Sequence, residues 1–354
     1  MNLNKVLEPA KIFLKRLDGK IVIVHGHDCD SICSAVIFLR LVKKLSKVEV
    51  KNIVTELNYG FGENDLRAVK KLSAKYVVIL DIPEIGVEYL TELTKMSKVL
   101  IVDHHKPKGY VRVSYVNPLV YENVYMPTTY LSYKIFESFY KPDEVLWIAC
   151  IGTLGDHGVE SCGEIFKKLK KIHPELLKGA DMSSESIFNS SELGVLTRMV
   201  DAARVVDVKH VSKAVELLTS AKSYKEVKND KWFKKLYESV EKEFERIKKD
   251  FEKNKKVFGR AVFYEIKSKY NLKSSFAGYV ASLFEDKILC VVQRFGEFYE
   301  VSFRKGVKVP TDLSEFVPKI VDGIGYGGGH PAAAAAKFPE KSLKVFINRL
   351  KTVS

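Results

Sequence analysis

Ile21-Val22-Ile23-Val24-His25-Gly26-His27-Asp28-Cys29-Asp30-Ser31 is the stretch on which the fold turns. Its first four residues are β-branched and uninterrupted, as suits a short strand buried on both faces. A polar loop follows, and Ile32–Lys44 then reads as a helix. The same arrangement is repeated downstream. Tyr76–Leu80 is apolar and ends at Asp81; Val99–Val102 is apolar and ends at Asp103-His104-His105. Leu146–Leu154 is apolar too, reads as a helix, and ends at Gly155-Asp156-His157. Short β-branched runs set between helical patterns predict an α/β fold with an open, mainly parallel sheet. In such sheets the ligand site lies at the carboxyl ends of the strands.

The pattern changes near Lys209–Ser220. Trp232, Leu236, Val240, Phe244, Ile247 and Phe251 then recur at helical spacing within a Lys- and Glu-rich stretch, predicting a long amphipathic connector helix. After Gly259 the chain is strand-like at Ala261–Ile266, Lys287–Val292 and Phe298–Phe303. Gly323-Ile324-Gly325-Tyr326-Gly327-Gly328-Gly329-His330 and the run Ala332–Ala336 follow, and Ser342–Leu350 looks helical. The expected organisation is a catalytic domain at 1–205, a helical connector at 206–256 and a smaller α/β domain at 257–354.

With 354 residues, 46% of them hydrophobic, the chain can fill two cores. Lys and Arg number 58 against 44 Asp and Glu, a net charge of +14 that suits a polyanionic partner. Charge alone fits a merely Lys-rich soluble protein equally well. Cys29, Cys33, Cys150, Cys162 and Cys290 form neither a CxxC pair nor a zinc spacing, which predicts reduced thiols in the cytoplasm. Residues 1–19 contain no signal-peptide core, and no apolar run is long enough to span a membrane.

The chemistry is concentrated at the ends of the apolar segments. A single Asp after a strand is an ordinary cap or turn residue. Four such clusters in order, converging on one sheet edge, are more than capping requires. Crowded carboxylates repel one another and resist ionisation unless cations neutralise them. Asp and His together suit divalent ions of the Mn²⁺ or Mg²⁺ kind, since zinc more often recruits cysteine or three histidines. Cys29 and Cys33 read as small packing residues, and His157, His173 and His210 as ordinary histidines.

Asp28-x-Asp30, Asp81, Asp103-His104-His105 and Asp156 resemble the four successive motifs of the DHH phosphoesterase superfamily, and Gly327-Gly328-Gly329-His330 is similar to the signature of its associated C-terminal domain. The resemblance covers nearly the whole chain and implies an active site in the cleft between the two domains. It implies that Asp28 binds a first metal and Asp30 a second, that Asp81 bridges both, and that His104 and Asp156 complete the second. It places Asp103 behind His104, fixing its tautomer, and His105 near the substrate phosphate. A histidine shortly before the first Asp often binds the first metal in this superfamily; His25 is the first choice here and His27 the second. Two divalent cations are implied, Mn²⁺ foremost, with Mg²⁺ or Co²⁺ as alternatives. Arg304, Gly327, Gly328, Gly329 and His330 correspond to substrate-binding positions.

Leu196–Arg204 is similar to the segment that follows the DHH domain in RecJ nucleases, although Asp201 stands where Asn is usual. Between Lys222 and Arg260 there are 14 basic and 8 acidic residues. The resemblance therefore points to a short archaeal RecJ-like exonuclease acting on single-stranded DNA or RNA, with a replication or repair protein as a candidate partner. Two other readings stand beside it. One is a small-substrate DHH phosphatase taking dinucleotides, short oligonucleotides or 3′-phosphoadenosine phosphate. The other is a non-catalytic replication partner, which the full set of acidic and histidine residues disfavours.

Overall fold

The computed structural model describes residues 2–56, 60–106 and 113–353, and the chain divides into two compact units, 1–237 and 238–354. In the first unit a five-stranded sheet has the spatial order Val50–Val54, Ile21–His25, Tyr76–Leu80, Lys98–Val102, Ser114–Val116, every pair parallel. Strand Ile21–His25 is flanked by one strand that follows it directly and by another reached by crossing over it. The crevice where the order reverses is therefore at the carboxyl ends of Ile21–His25 and Tyr76–Leu80, where His25–Asp28 and Asp81 emerge.

Both faces of the sheet are covered, as uninterrupted apolar strands require. On one face Val22, Val24, Val77, Ile79, Val99 and Ile101 pack with Leu66, Val69, Leu90 and Leu93 of helices Glu63–Leu72 and Val87–Met96. On the other lies helix Cys29–Leu45, in which Cys29–Leu39, Leu41 and Val42 are all buried. A helix apolar nearly all round must be central. It packs against helices Thr128–Glu137, Leu146–Gly155 and His210–Ser220 as well as the sheet. Asp28 caps its start by accepting from the Ser31 N–H at 2.9 Å.

Helix Leu146–Gly155 approaches this central helix unusually closely. A Cβ on Gly152 would stand 2.3 Å from Thr129 Oγ1 and 2.6 Å from Cys33 Cβ; one on Gly155 would stand 2.7 Å from Cys29 Cβ. Cys29 and Cys33 are thus small residues opposite glycines. No helix among the described residues is long and apolar enough to cross a membrane.

The second unit carries a mixed six-stranded sheet in the order Tyr326–His330, Ala333–Pro339, Phe298–Lys305, Ile288–Phe295, Ala261–Ile266, Lys256–Phe258. Only the pair Ile288–Phe295 and Ala261–Ile266 is parallel. Its core joins Phe263, Val292, Val301, Phe303 and Phe338 to Leu313 and Val317 of one helix and Phe346 and Leu350 of the last. The long helix runs from Lys231 to Asn254, and the division between units falls within it. Phe233, Leu236, Val240, Ile247 and Phe251 are its buried apolar residues. Ion pairs such as Arg246–Glu243, Lys248–Glu245 and Lys255–Glu252 occupy part of its basic surface.

The structure adds elements to the sequence-based expectation. Val50–Val54 and Ser114–Val116 are strands that the pattern did not disclose. The first is a half-exposed edge strand interrupted by Lys51 and Asn52, and the second is only three residues long. Gly327–Gly329, to which the sequence pattern assigned no element, lies in an edge strand paired with Ala334–Ala336.

Gly152→Ala should destabilise the first unit by about 1–3 kcal/mol, because the added methyl meets two packed side chains. Gly163→Ala, where a Cβ meets nothing within 4 Å, is the control and should be neutral or slightly stabilising. Denaturant unfolding of the two variants measures the difference; equal stabilities would refute the close-packing account.

Candidate metal centre

At the carboxyl edge of the parallel sheet the four clusters meet. Asp30 is buried in the first turn of helix Cys29–Leu45. Its Oδ2 accepts from the Thr128 N–H and its Oδ1 from the Thr129 N–H, both at 2.8 Å. These are the first N–H groups of helix Thr128–Glu137, which point out of the helix unpaired and carry the positive end of its dipole. Asp81 follows strand Tyr76–Leu80 with φ +56°, a left-handed backbone uncommon for Asp. Its carboxylate accepts from Ser31 Oγ at 2.6 Å and from Thr128 Oγ1 at 3.2 Å.

His104 is buried among carboxylates. Its Nδ1 is 3.6 Å from Asp30 Oδ2, and its Nε2 is 3.4 Å from Asp156 Oδ2 and 3.8 Å from Asp81 Oδ1. Among the described residues its Nδ1 has no hydrogen-bond partner. Two groups of donor atoms each lie within 4.8 Å of one another: Asp30, His104 and Asp156, and Asp81, His104 and His105. Asp156 ends helix Leu146–Gly155 and accepts from the Tyr125 hydroxyl at both its backbone oxygen, 2.6 Å away, and its carboxylate.

Burial and the neighbouring carboxylates Asp81, Asp156 and Asp28 push the Asp30 carboxyl well above its usual range. Burial, with Asp28 and Asp156, does the same to Asp81. Burial also opposes ionisation of Asp28, but the Arg204 guanidinium and the Ser31 N–H hold it below its usual value. Arg204 is gripped in turn by Asp201 at 2.6 and 2.8 Å on helix Glu192–Val206. Burial lowers His104 despite Asp156 beside it, leaving a neutral ring with a lone pair to give. This set of oxygen and neutral nitrogen donors, too crowded to ionise by itself, fits divalent cations. The buried thiol of Cys29 offers no alternative, since the Cys33 hydrogen bond and burial raise it well above its ordinary value.

The two histidines ahead of Asp28 are unlike each other. His25 is fully buried with both ring nitrogens in hydrogen bonds, Nδ1 with Gly26 O at 2.7 Å and Nε2 with Asn52 Nδ2 at 3.0 Å. It has no lone pair left for a metal, and burial pushes it down to about 4. His27 bonds Thr55 O through Nε2 at 2.5 Å, while its buried Nδ1 has no hydrogen-bond partner among the described residues. A ring that donates one N–H to a backbone carbonyl and keeps the other nitrogen open is the usual form of a metal-binding histidine. The preference for His25 over His27 is therefore reversed.

A second correction concerns Asp103. It bonds His105 Nδ1 at 2.7 Å, and no bond joins it to His104. Both imidazoles nonetheless face the same carboxylates, with ring centroids 4.4 Å apart. Burial opposes protonation of His105, but the Asp103 hydrogen bond and nearby carboxylates hold it up at about 9. Asn117 donates to the His105 carbonyl at 2.8 Å.

His157, His173 and His210 lie outside this cluster, with rings near Phe188, Tyr224 and Trp232. In the second unit, Arg304 and His330 both pair with Ala333, from opposite sides of its strand. Residues in register share a face of the sheet, so these two side chains stand in one row about 10 Å apart. A Cβ on Gly329, where φ is +154°, would meet Ala333 O at 2.4 Å. Gly327 is enclosed by Val317 and Ala336, whereas a Cβ on Gly328 would meet nothing within 4 Å. Packing thus explains two of the three glycines and leaves Gly328 open for a ligand to approach its backbone.

Sequence reasoning missed Ser31, Thr55, Tyr125, Thr128 and Thr129 as supports. Pro127-Thr128-Thr129 is a recognisable helix start, but nothing local links it to an Asp 98 residues earlier.

Asp81→Asn should raise the melting temperature of the metal-free protein by a few degrees, roughly 1 kcal/mol. The raised carboxyls of Asp30 and Asp81 hold protons that the unfolded chain releases, so without cations stability falls as pH climbs above about 4. Asn removes one such group, and it also tolerates a left-handed backbone better. Mn²⁺ should then add less stability to the variant than to the parent. Melting scans with chelator and with Mn²⁺ read both effects; a lower metal-free melting temperature would mean the carboxylate is content without a cation.

The N-terminal domain of the DHH family matches residues 20–153, and the DHHA1 domain matches residues 259–353. No curated protein sequence matches the chain. Among solved structures, RecJ from Thermus thermophilus in complex with Mn²⁺ superposes with a TM-score of 0.74 at 15% identity, over 99% of this chain and 55% of that one. This chain thus spans about half the length of the Thermus protein. An exonuclease RecJ bound to manganese gives 0.67 at 16% identity, over 99% and 94%. The DHH domain of a member of the s1p family of ribosomal proteins gives 0.75 at 17% identity, over 99% and 92%. The ordered Asp and His clusters, the parallel sheet that gathers them and the second domain with its mixed sheet place this chain in the DHH phosphoesterase superfamily, with RecJ among the proteins it resembles.

Proposed function

We propose that the chain is a two-metal phosphodiester hydrolase, and that it acts as a RecJ-like exonuclease on single-stranded DNA or RNA. The observation that carries this reading is the convergence of Asp30, Asp81, Asp156 and His104 in a buried site where Asp30 and Asp81 resist ionisation without cations. Asp28 and His27 would hold one ion, Asp30, His104 and Asp156 the other, and Asp81 would bridge them. Mn²⁺ is the expected ion, with Mg²⁺ or Co²⁺ as alternatives.

Two bound divalent cations supply a water-derived nucleophile at neutral pH and charge to offset the developing negative phosphoryl oxygens. The residues of the chain do the rest. Helix Thr128–Glu137 fixes Asp30 through two N–H groups, and Ser31 and Thr128 fix Asp81, which restricts how these carboxylates can turn. His105, oriented by the bond between its Nδ1 and Asp103, would stand beside the substrate phosphate. Arg304, the open backbone of Gly328 and the exposed His330 would hold further phosphate, with Gly327 and Gly329 keeping that strand's shape. The net charge of +14 supports a polyanionic substrate, and five free buried cysteines support a cytoplasmic setting.

The test is Mn²⁺-supported hydrolysis of end-labelled single strands of two to ten nucleotides at two salt concentrations. Specificity constants should rise with length and fall steeply with salt, as several Lys and Arg release condensed counterions. A flat length profile with little salt dependence would move the assignment to a small-substrate phosphatase. Absence of any Mn²⁺-dependent cleavage would overturn the hydrolase reading. Arg304→Ala and His330→Ala should each weaken capture of longer strands while Mn²⁺ binding, followed by calorimetry, persists.

A further inference from the structure

Segment 117–129 supports the metal centre at several points. Asn117 donates to His105 O, Thr128 and Thr129 hold Asp30, and Thr128 also reaches Asp81. Between these supports the segment exposes large side chains: Val120, Tyr121 and Tyr125 are 51%, 44% and 40% exposed. Tyr125 is the one that touches the cluster. Its hydroxyl donates to both the backbone oxygen and the carboxylate of Asp156, and its ring centroid lies 5.3 Å from that of His104, tilted by 46°.

These contacts divide the side chain into two working parts. A phenol bonded twice to one residue holds that residue in a single orientation. Asp156 stands just past the last turn of helix Leu146–Gly155, where the backbone alone does not fix a side chain, and the phenol turns its carboxylate toward His104. The ring beyond the hydroxyl is wet on part of its surface, and an exposed tyrosine next to bound phosphate is a ready surface for a nucleobase to stack on. A polyphosphate or an alkyl phosphate has no such group to place there.

We propose that Tyr125 positions Asp156 through its hydroxyl and selects base-bearing substrates through its ring, stacking the nucleobase beside the phosphate under attack. The ring's part rests on the phosphodiesterase reading above; the hydroxyl's part does not.

Two variants of the full chain, Tyr125→Phe and Tyr125→Ala, separate the roles, with thermal melting to verify that both fold. Calorimetric titration with Mn²⁺ reads the hydroxyl. Loss of a group that orients a metal ligand should weaken Mn²⁺ binding about 10-fold in Tyr125→Phe. Unchanged or tighter binding would overturn the positioning role. Specificity constants for a short oligonucleotide, compared with the same strand carrying an abasic residue at the cleaved end, read the ring. The parent and Tyr125→Phe should favour the base-bearing strand by about 10-fold, the size of one base–aromatic stack, and Tyr125→Ala should show no preference. A preference retained in Tyr125→Ala would overturn the ring's role alone. If the parent cut neither strand, the phosphodiesterase reading and the ring's role would fall together, with the calorimetry still judging the hydroxyl.

Discussion

Like charges held in a buried site are the constraint around which the first unit is built. Asp30 and Asp81 are each enclosed and each within the field of other carboxylates, an arrangement that costs free energy in any protein lacking a compensating charge. The fold tolerates it because Asp30, Asp81 and Asp156 are each tied to a donor on another element. Helix N–H groups, hydroxyls and a phenol satisfy the oxygens without neutralising them, which leaves their charge available to a cation. A set of arginines in the same places would have stabilised the apoprotein and closed the site. The guanidinium of Arg204 acts on the cluster's rim at Asp28, and Asp201 shares its charge.

The same logic explains the tight packing behind the site. The helix bearing Asp30 and the helix ending in Asp156 come together over Gly152 and Gly155, and Thr129 sits in that contact. The glycines therefore set the distance between the helices that carry Asp30 and Asp156, and core packing becomes a determinant of the geometry of the candidate site.

Much of this was legible in the sequence. The order of the clusters and the β-branched runs ahead of them disclosed the sheet and its functional edge, because the period and length of buried strands are local properties. That Asp30, Asp81, His104 and Asp156 gather at that edge followed from their places after apolar segments. What escaped was pairwise and long-range. His25 and His27 differ only in what meets their ring nitrogens, Asn52 and Gly26 O for one and Thr55 O for the other, and no spacing rule encodes that. Asp103 was paired with the wrong neighbour because family resemblance transfers residue types more safely than hydrogen bonds. The edge strand that contains Gly327–His330 was not legible because glycine weakens a strand's signature without forbidding the strand.

The bond between Asp30 and the N–H groups of Thr128 and Thr129 has a consequence for how the chain is made. Its partners are separated by 98 and 99 residues. At about 5–20 residues per second, a ribosome needs roughly 5–20 s to deliver the second partner after the first. At the end of that interval strand Ile21–His25 and helix Cys29–Leu45 have emerged, while helices Thr128–Glu137, Leu146–Gly155 and His210–Ser220, which pack on that helix, have not. The nascent first unit thus passes through a stage with an open sheet edge and an uncovered central helix, the kind of surface that holding chaperones bind. Native structure here is a late event in synthesis, and the cluster of Asp30, Asp81, His104 and Asp156 cannot assemble before helix Thr128–Glu137 and Asp156 have left the exit tunnel.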